Sequence, residues 1–226
     1  MSIKENYERI LGEIPGNVKL VVVIKGRTAE EITEAITAGA KYIGGNYVQE
    51  TSELHDKLKN RPEKIEWHTI GHLQSNKINK ALSFSDTIQT IDSYEKADMI
   101  NQKSARLGKI TNTYLEINIG EETSKHGVTP EYENIKDIIM KISKLENIKL
   151  TGLMTMGPTV GSQEELRPYF KKMKEIFDKI SNLNIPNADM ETLSMGMSKS
   201  YKIAIEEGSN MVRIGTAIFG ERNYDN

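Results

Sequence analysis

The stretch VKLVVVIKGRTAEEITEAITAG, residues 18–39, contains one complete strand–turn–helix unit. Leu20 to Ile24 is an unbroken aliphatic run of strand length. A run without polar alternation is what a strand buried on both faces requires. Thr28 follows at a helix N-cap position, with Glu31 three residues on as its capping-box partner. Ile32, Ala35 and Ile36 then share one helical face, and Gly39 supplies a stop. A buried strand followed by an amphipathic helix is half of a parallel crossover unit.

Working outward, the same unit recurs. The first strand is expected over 18–24, and later strands over 42–43, 66–70, 87–91, 113–119, 150–154, 189–193 and 210–214. Helical periodicity lies between them, over 48–58, from Ser75, then 93–107, 132–145, 163–180 and 200–207, with Pro130 opening the helix at 132. A further helix over 3–12 precedes the first strand. Eight strand–helix cycles predict an α/β protein, a single (β/α)8 TIM barrel with an additional N-terminal helix, as one domain over residues 1–226. An open sheet of six strands is the alternative, because the strands at Tyr42 and Asn210 are short.

Composition narrows the function classes. The chain has 226 residues, 30 basic against 32 acidic, and no cysteine. It therefore has no disulfide scaffold, thiolate metal site or Cys nucleophile, and a formal net charge of −2 offers no broad field for nucleic acid or anionic membrane. Residues 1–14 mix charge with isolated aliphatics and lack a signal-peptide core. No stretch approaches the roughly 18 apolar residues that span a bilayer. A soluble, cytoplasmic protein is expected.

In barrels of this kind, chemistry sits at the C-terminal ends of the strands. Lys25 directly follows the first strand. A lysine there loses hydration, which lowers its pKa and leaves an amine able to form a Schiff base; the plainer alternative is a rim lysine reaching for water. The last two strands end in Leu193-Ser194-Met195-Gly196-Met197-Ser198 and Val212-Arg213-Ile214-Gly215-Thr216, both rich in small residues and hydroxyls. Loops after strands seven and eight are the usual phosphate cradle of the fold, although tight turns alone also explain the glycines. Met195 and Met197, flanking Gly196, are soft side chains suited to packing on a flat ring.

The four histidines carry less. His68 and His72 stand four apart, but on a strand and its following loop rather than a helix, so no metal site is expected. His55 is expected in solvent on a helix face, and Lys125-His126-Gly127 in an ordinary polar turn, with a place lining the mouth as the alternative.

Together these motifs make the chain resemble the YggS/PROSC family of pyridoxal 5′-phosphate (PLP) binding proteins, whose fold is like the barrel domain of alanine racemase. The resemblance covers essentially the whole chain. Val22-Val23-Ile24-Lys25, Gly45-Asn46-Tyr47-Val48-Gln49-Glu50, Trp67 through Lys77, Gly152-Leu153-Met154, Ser194 through Ser198 and Arg213 through Gly220 carry it. It implies Lys25 as the Schiff-base lysine, Arg213 facing the pyridine nitrogen and Asn46 near the ring. It also implies a phosphate held by Gly215, Thr216, Ser198 and Ser194. Departures from the family pattern are Ile24 for serine, Gly26-Arg27 after the lysine, Gly45 for glutamate and Ser200 for aspartate; lost polar groups at 24, 45 and 200 are expected to loosen PLP.

The expected role is a carrier that holds PLP in vitamin B6 homeostasis and supplies PLP-dependent apo-enzymes. Arg213, cationic at the ring nitrogen, weakens the electron sink on which PLP catalysis relies. Racemases of the fold use a second domain and a tyrosine, and only six residues follow Gly220 here, which also favours a monomer. A weak PLP-dependent racemase or lyase, and a barrel holding another phosphate ester without covalent attachment, are the alternatives.

Overall fold

The computed structural model describes residues 1–159 and 162–221, so the rest of the expected 1–226 domain lies outside the described residues. Eight parallel strands close on themselves in chain order, β1 to β8. They are β1 (Lys19–Val23), β2 (Tyr42–Gly45), β3 (Glu66–Thr69), β4 (Thr87–Ile91), β5 (Thr111–Glu116), β6 (Ile148–Met154), β7 (Thr192–Met197) and β8 (Met211–Ile214). The helices are α1 (Ile3–Glu13), α2 (Ala29–Thr37), α3 (Val48–Leu58), α4 (Ile78–Leu82), α5 (Tyr94–Arg106), α6 (Tyr132–Ile142), α7 (Arg167–Ser181), α8 (Tyr201–Glu206) and the one-turn α9 (Thr216–Phe219). The barrel and its N-terminal helix are as the sequence predicts, and the six-strand alternative is gone: β2 and β8 each pair on both sides.

Pleat alternation sorts β1 into two layers. Leu20, Val22 and Ile24 join the large apolar layer between barrel and helices. Val21 points the other way, into a small interior cluster with Tyr114, Met154 and Met211. Val23 and Lys25 continue that inward face and line the cleft at the barrel mouth. The Thr28–Glu31 capping box forms and starts α2 immediately after the Lys25 turn. Closure sets β1 beside β8 with Val21 opposite Arg213, so Lys25, just after β1, and Arg213 come from neighbouring strands.

The largest departure from expectation is β7. The sequence suggests 189–193; the strand is Thr192–Met197. Asp189 instead belongs to a turn region in which Asn187 has φ 61°. Ser194 and Gly196 read as loop residues by composition, yet a small residue is needed at 196 because α8 crosses closely. A Cβ there would lie 2.5 Å from Ala204 Cβ.

Candidate functional site

Two connected hollows open at the C-terminal ends of the strands. The larger, about 1130 Å³, is lined by Lys25, Ser198, Arg213, Gly215 and Thr216 among others. The smaller, about 170 Å³, is lined by Asn46, His72, Glu116 and His126. Lys125, Met156 and Gly157 border both.

Lys25 is half-buried in a tight turn. Ile24 N–H donates to Gly44 O at 3.0 Å, Arg27 N–H to Ile24 O at 3.1 Å, and Gly26 N–H to Glu50 Oε1 at 2.6 Å. Gly26 takes φ 66°, which glycine adopts without steric cost. Arg27 continues the bracing by donating to Glu31 Oε1 and to the carbonyls of Phe219 and Gly220. The β1 turn and the end of α9 are thereby tied together.

At the neighbouring strand ends, Ser198 Oγ, after β7, accepts from the N–H groups of Gly215 and Ala217, after β8, both at 3.3 Å. Gly215 packs so that a Cβ would lie 3.1 Å from Val23 O, leaving little room for any side chain between β8 and β1. Gly215, Thr216 and Ser198 thus form a cradle of small residues in the cleft that Lys25 also lines, the arrangement expected for a phosphate.

Ser194, assigned to that cradle from sequence, and Met195, expected against a flat ring, do not reach the cleft. Ser194 is fully buried within β7; its hydroxyl accepts from Arg213 Nη1 at 2.7 Å and donates to Gln89 Oε1 at 2.8 Å. Met195 is also fully buried and lies in the layer between barrel and helices, away from any ring in the cleft. Both errors follow from the displaced strand: pleating sends 194 inward and 195 outward. Of the two methionines flanking Gly196, the exposed Met197 lines the cleft.

Arg213 is held by a buried relay. Its Nη2 donates to Thr155 O at 2.8 Å. Beyond Ser194 and Gln89, Gln89 Nε2 donates to His68 Nδ1 at 2.8 Å. An amide NH2 can only donate, so His68 Nδ1 accepts and Nε2 carries the proton. That nitrogen lies 3.1 Å from Glu66 Oε1, without a well-aligned hydrogen bond. Every donor in the chain points from Arg213 toward Glu66. Burial lowers the Arg213 pKa to about 10, with Glu116 acting in the opposite direction, so the side chain remains a cation at neutral pH.

Glu116, at the end of β5, was not singled out from sequence. Burial raises its pKa to about 7, opposed first by Arg213. Glu116 Oε2 and Asn46 Oδ1 are buried without a hydrogen-bond partner among the described residues, and both residues line the smaller chamber. A glutamate ending an inward-facing strand position was the available signal; a shift in the β5 boundary hid it. Lys125 and His126, expected in an ordinary turn, instead border the mouth, where Lys125 Nζ donates to Gly157 O at 2.8 Å. His55 is not in open solvent either, since its ring packs edge-on to Trp67 with centroids 5.2 Å apart.

The departures from the family pattern acquire physical meaning. The Ile24 side chain is buried in the outer layer, so a hydroxyl there would not face the cleft. At Gly45 a Cβ would lie 1.9 Å from Thr51 Oγ1; Thr51 fills the space a glutamate would need. Ser200 is buried and accepts from Met197 N–H at 3.1 Å, fixing the turn that carries Ser198.

Likeness to known proteins accords with this geometry. The family described as "Alanine racemase, N-terminal domain" matches residues 1–223. The pyridoxal phosphate homeostasis protein of Aquifex aeolicus is 38% identical over 209 residues, covering 91% of this chain and 88% of its own. PipY of Synechococcus elongatus, solved with PLP bound, superposes with a TM-score of 0.88 at 29% identity over 97% of this chain and all of its own. An alanine racemase from Clostridium difficile shares the barrel alone, with a TM-score of 0.79 at 20% identity over 99% of this chain and 57% of its own. Among the described residues no helix is long and apolar enough to cross a membrane. By extent of match and by identity, the chain belongs to the family of pyridoxal phosphate homeostasis proteins, built on the alanine racemase N-terminal domain.

Proposed function

We propose that this chain binds PLP in the larger cleft, covalently through Lys25, and holds it for intracellular vitamin B6 homeostasis rather than for turnover. The observation that carries the reading is that Lys25 and the Ser198–Gly215–Thr216 cradle line one cleft, brought together by the pairing of β1 with β8. The buried Asn46 Oδ1 without a partner is a further polar atom prepared for a ligand nearby. The residues present therefore fit the cofactor.

When bound, PLP supplies an aldehyde carbon that joins primary amines and a ring that can accept electrons. Lys25 Nζ is the amine that would be joined. Gly215, Thr216 and Ser198 would hold the phosphate, while Arg213 would be the cation beside the ring nitrogen and would oppose its protonation. A cation at that atom opposes its protonation and blunts the electron sink, which suits a holder of the cofactor. The same reading places the protein in the cytoplasm as a monomer that passes PLP to PLP-dependent apo-enzymes.

Borohydride reduction followed by peptide mass spectrometry tests the proposal. A pyridoxyl group on Lys25 is expected, with loss of the yellow colour in Lys25→Ala. A label on Lys77 or Lys125 with Lys25 untouched would overturn it. Racemase or lyase activity on amino acids above the Lys25→Ala background would move the role to catalysis.

A further inference from the structure

The sequence gives no reason to expect a metal, because His68 and His72 diverge. His68 turns into the barrel toward Gln89. His72, however, meets two partners that no local spacing announces. His72 Nδ1 lies 3.6 Å from Asp92 Oδ2, and its ring stacks on His126 with centroids 3.6 Å apart and planes 16° from parallel. One ligand atom from each of His72, Asp92 and His126 falls within 4.8 Å of the others. The three come from the loops after β3, β4 and β5, consecutive strands of the barrel.

The geometry points to a binding site for a divalent first-row transition cation, of the zinc, cobalt or nickel class, on His72, Asp92 and His126 at the rim of the smaller chamber. Two imidazoles and one carboxylate suit such ions, whereas a lone carboxylate is too little for magnesium or calcium. Ligand distances of about 2.1 Å place tetrahedral donors about 3.3 Å apart. Closing from 4.8 Å is within reach of side-chain rotation, since both imidazoles are exposed.

Asp92 is the fixed point. Lys96 Nζ donates to its Oδ2 at 2.6 Å, the oxygen that lies 3.6 Å from His72 Nδ1. This orients the carboxylate, whose two oxygens together offer about four lone-pair sites, so acceptor capacity remains for a cation. Lys96 also offsets the carboxylate charge, so the imidazoles must supply most of the affinity, and that again selects transition metals. Three protein ligands leave open positions. Both imidazoles line the chamber that holds Glu116 and Asn46, and the buried Glu116 Oε2 and Asn46 Oδ1 lack a donor among the described residues. A water on the cation is a donor of the kind these acceptors lack.

The test is calorimetric titration of the untagged full chain with zinc chloride, with magnesium chloride as the control. One zinc ion per chain is expected, with affinity reduced roughly tenfold or more in His126→Ala and in His72→Ala, as loss of a ligand entails. Cobalt should give visible absorption in the parent chain that His126→Ala loses. His126 is exposed, so that variant should keep the fold; if it does not, His126→Gln replaces it. No zinc uptake beyond the magnesium control, or uptake unchanged in both histidine variants, would overturn the site. Because the parent chain is titrated without added PLP, the outcome is independent of whether Lys25 holds a cofactor.

Discussion

Ser194 Oγ lies 2.7 Å from Arg213 Nη1 and 2.8 Å from Gln89 Oε1, accepting from the first and donating to the second. This makes Ser194 a positioning residue for the arginine rather than part of the phosphate cradle. Ser194→Ala should leave a buried guanidinium donor and a buried amide oxygen without that partner, at a cost of about 1–3 kcal/mol in denaturant unfolding. PLP affinity should fall and the absorption of bound PLP should shift as Arg213 relaxes. Competition by inorganic phosphate should be unchanged. A variant that loses phosphate competition alone would return Ser194 to the cradle.

Glu116 makes the apoprotein sensitive to pH. Its folded pKa is raised by burial to about 7, against an ordinary value of 4.5. A carboxyl whose folded pKa is raised contributes stability that is complete below the ordinary value. That stability fades as pH rises through the folded value. The window is therefore pH 4.5 to about 7, and the loss across it is on the order of 3 kcal/mol. Urea unfolding at the two ends of this window should show the fall in the parent chain and a much flatter profile in Glu116→Gln.

Gly45 cannot simply accept the glutamate usual in the family. With a Cβ placed 1.9 Å from Thr51 Oγ1, Gly45→Ala should destabilise the chain by about 1–3 kcal/mol through overpacking. Thr51→Gly in the same chain should recover part of the loss. Additive behaviour of the two changes in thermal unfolding would show that they do not share the space.

Gly71 guards the position of Asn46. A Cβ at 71 would lie 2.2 Å from Asn46 O, so Gly71→Ala must displace the β2 turn that carries Asn46. PLP binding should weaken more than thermal stability falls, because the affected loop borders the chamber while the barrel strands stay paired. Equal binding in the variant and the parent would place Asn46 outside the cofactor's reach.

Most of the barrel was legible because its signals are local. The aliphatic run before Lys25, the Thr28–Glu31 box and the boundaries of β4 and α3 follow from hydrophobicity and capping over a few residues. The site was legible in part. Lys25, Arg213, Gly215 and Thr216 are placed by one rule, that function gathers at strand ends. Ser194 and Met195 failed because glycine and serine in β7 look like a turn, and only the close approach of α8 explains why small residues sit in a strand. Glu116, Gln89 and the meeting of His72 with Asp92 and His126 depend on which strands neighbour one another, which no short window of sequence records.

The pairing of Val21 with Arg213 across β1 and β8 also dictates when the protein can work. Lys25 and the Gly215–Thr216 loop come from the two extremes of the strand order, and they become neighbours only when the last strand docks against the first. A nascent chain still lacking β8 carries Lys25 without the Gly215–Thr216 loop beside it. Non-local closure of this kind is among the slower events of folding. If PLP is held as proposed, its capture would report completed synthesis and assembly, and premature chains would be left without cargo.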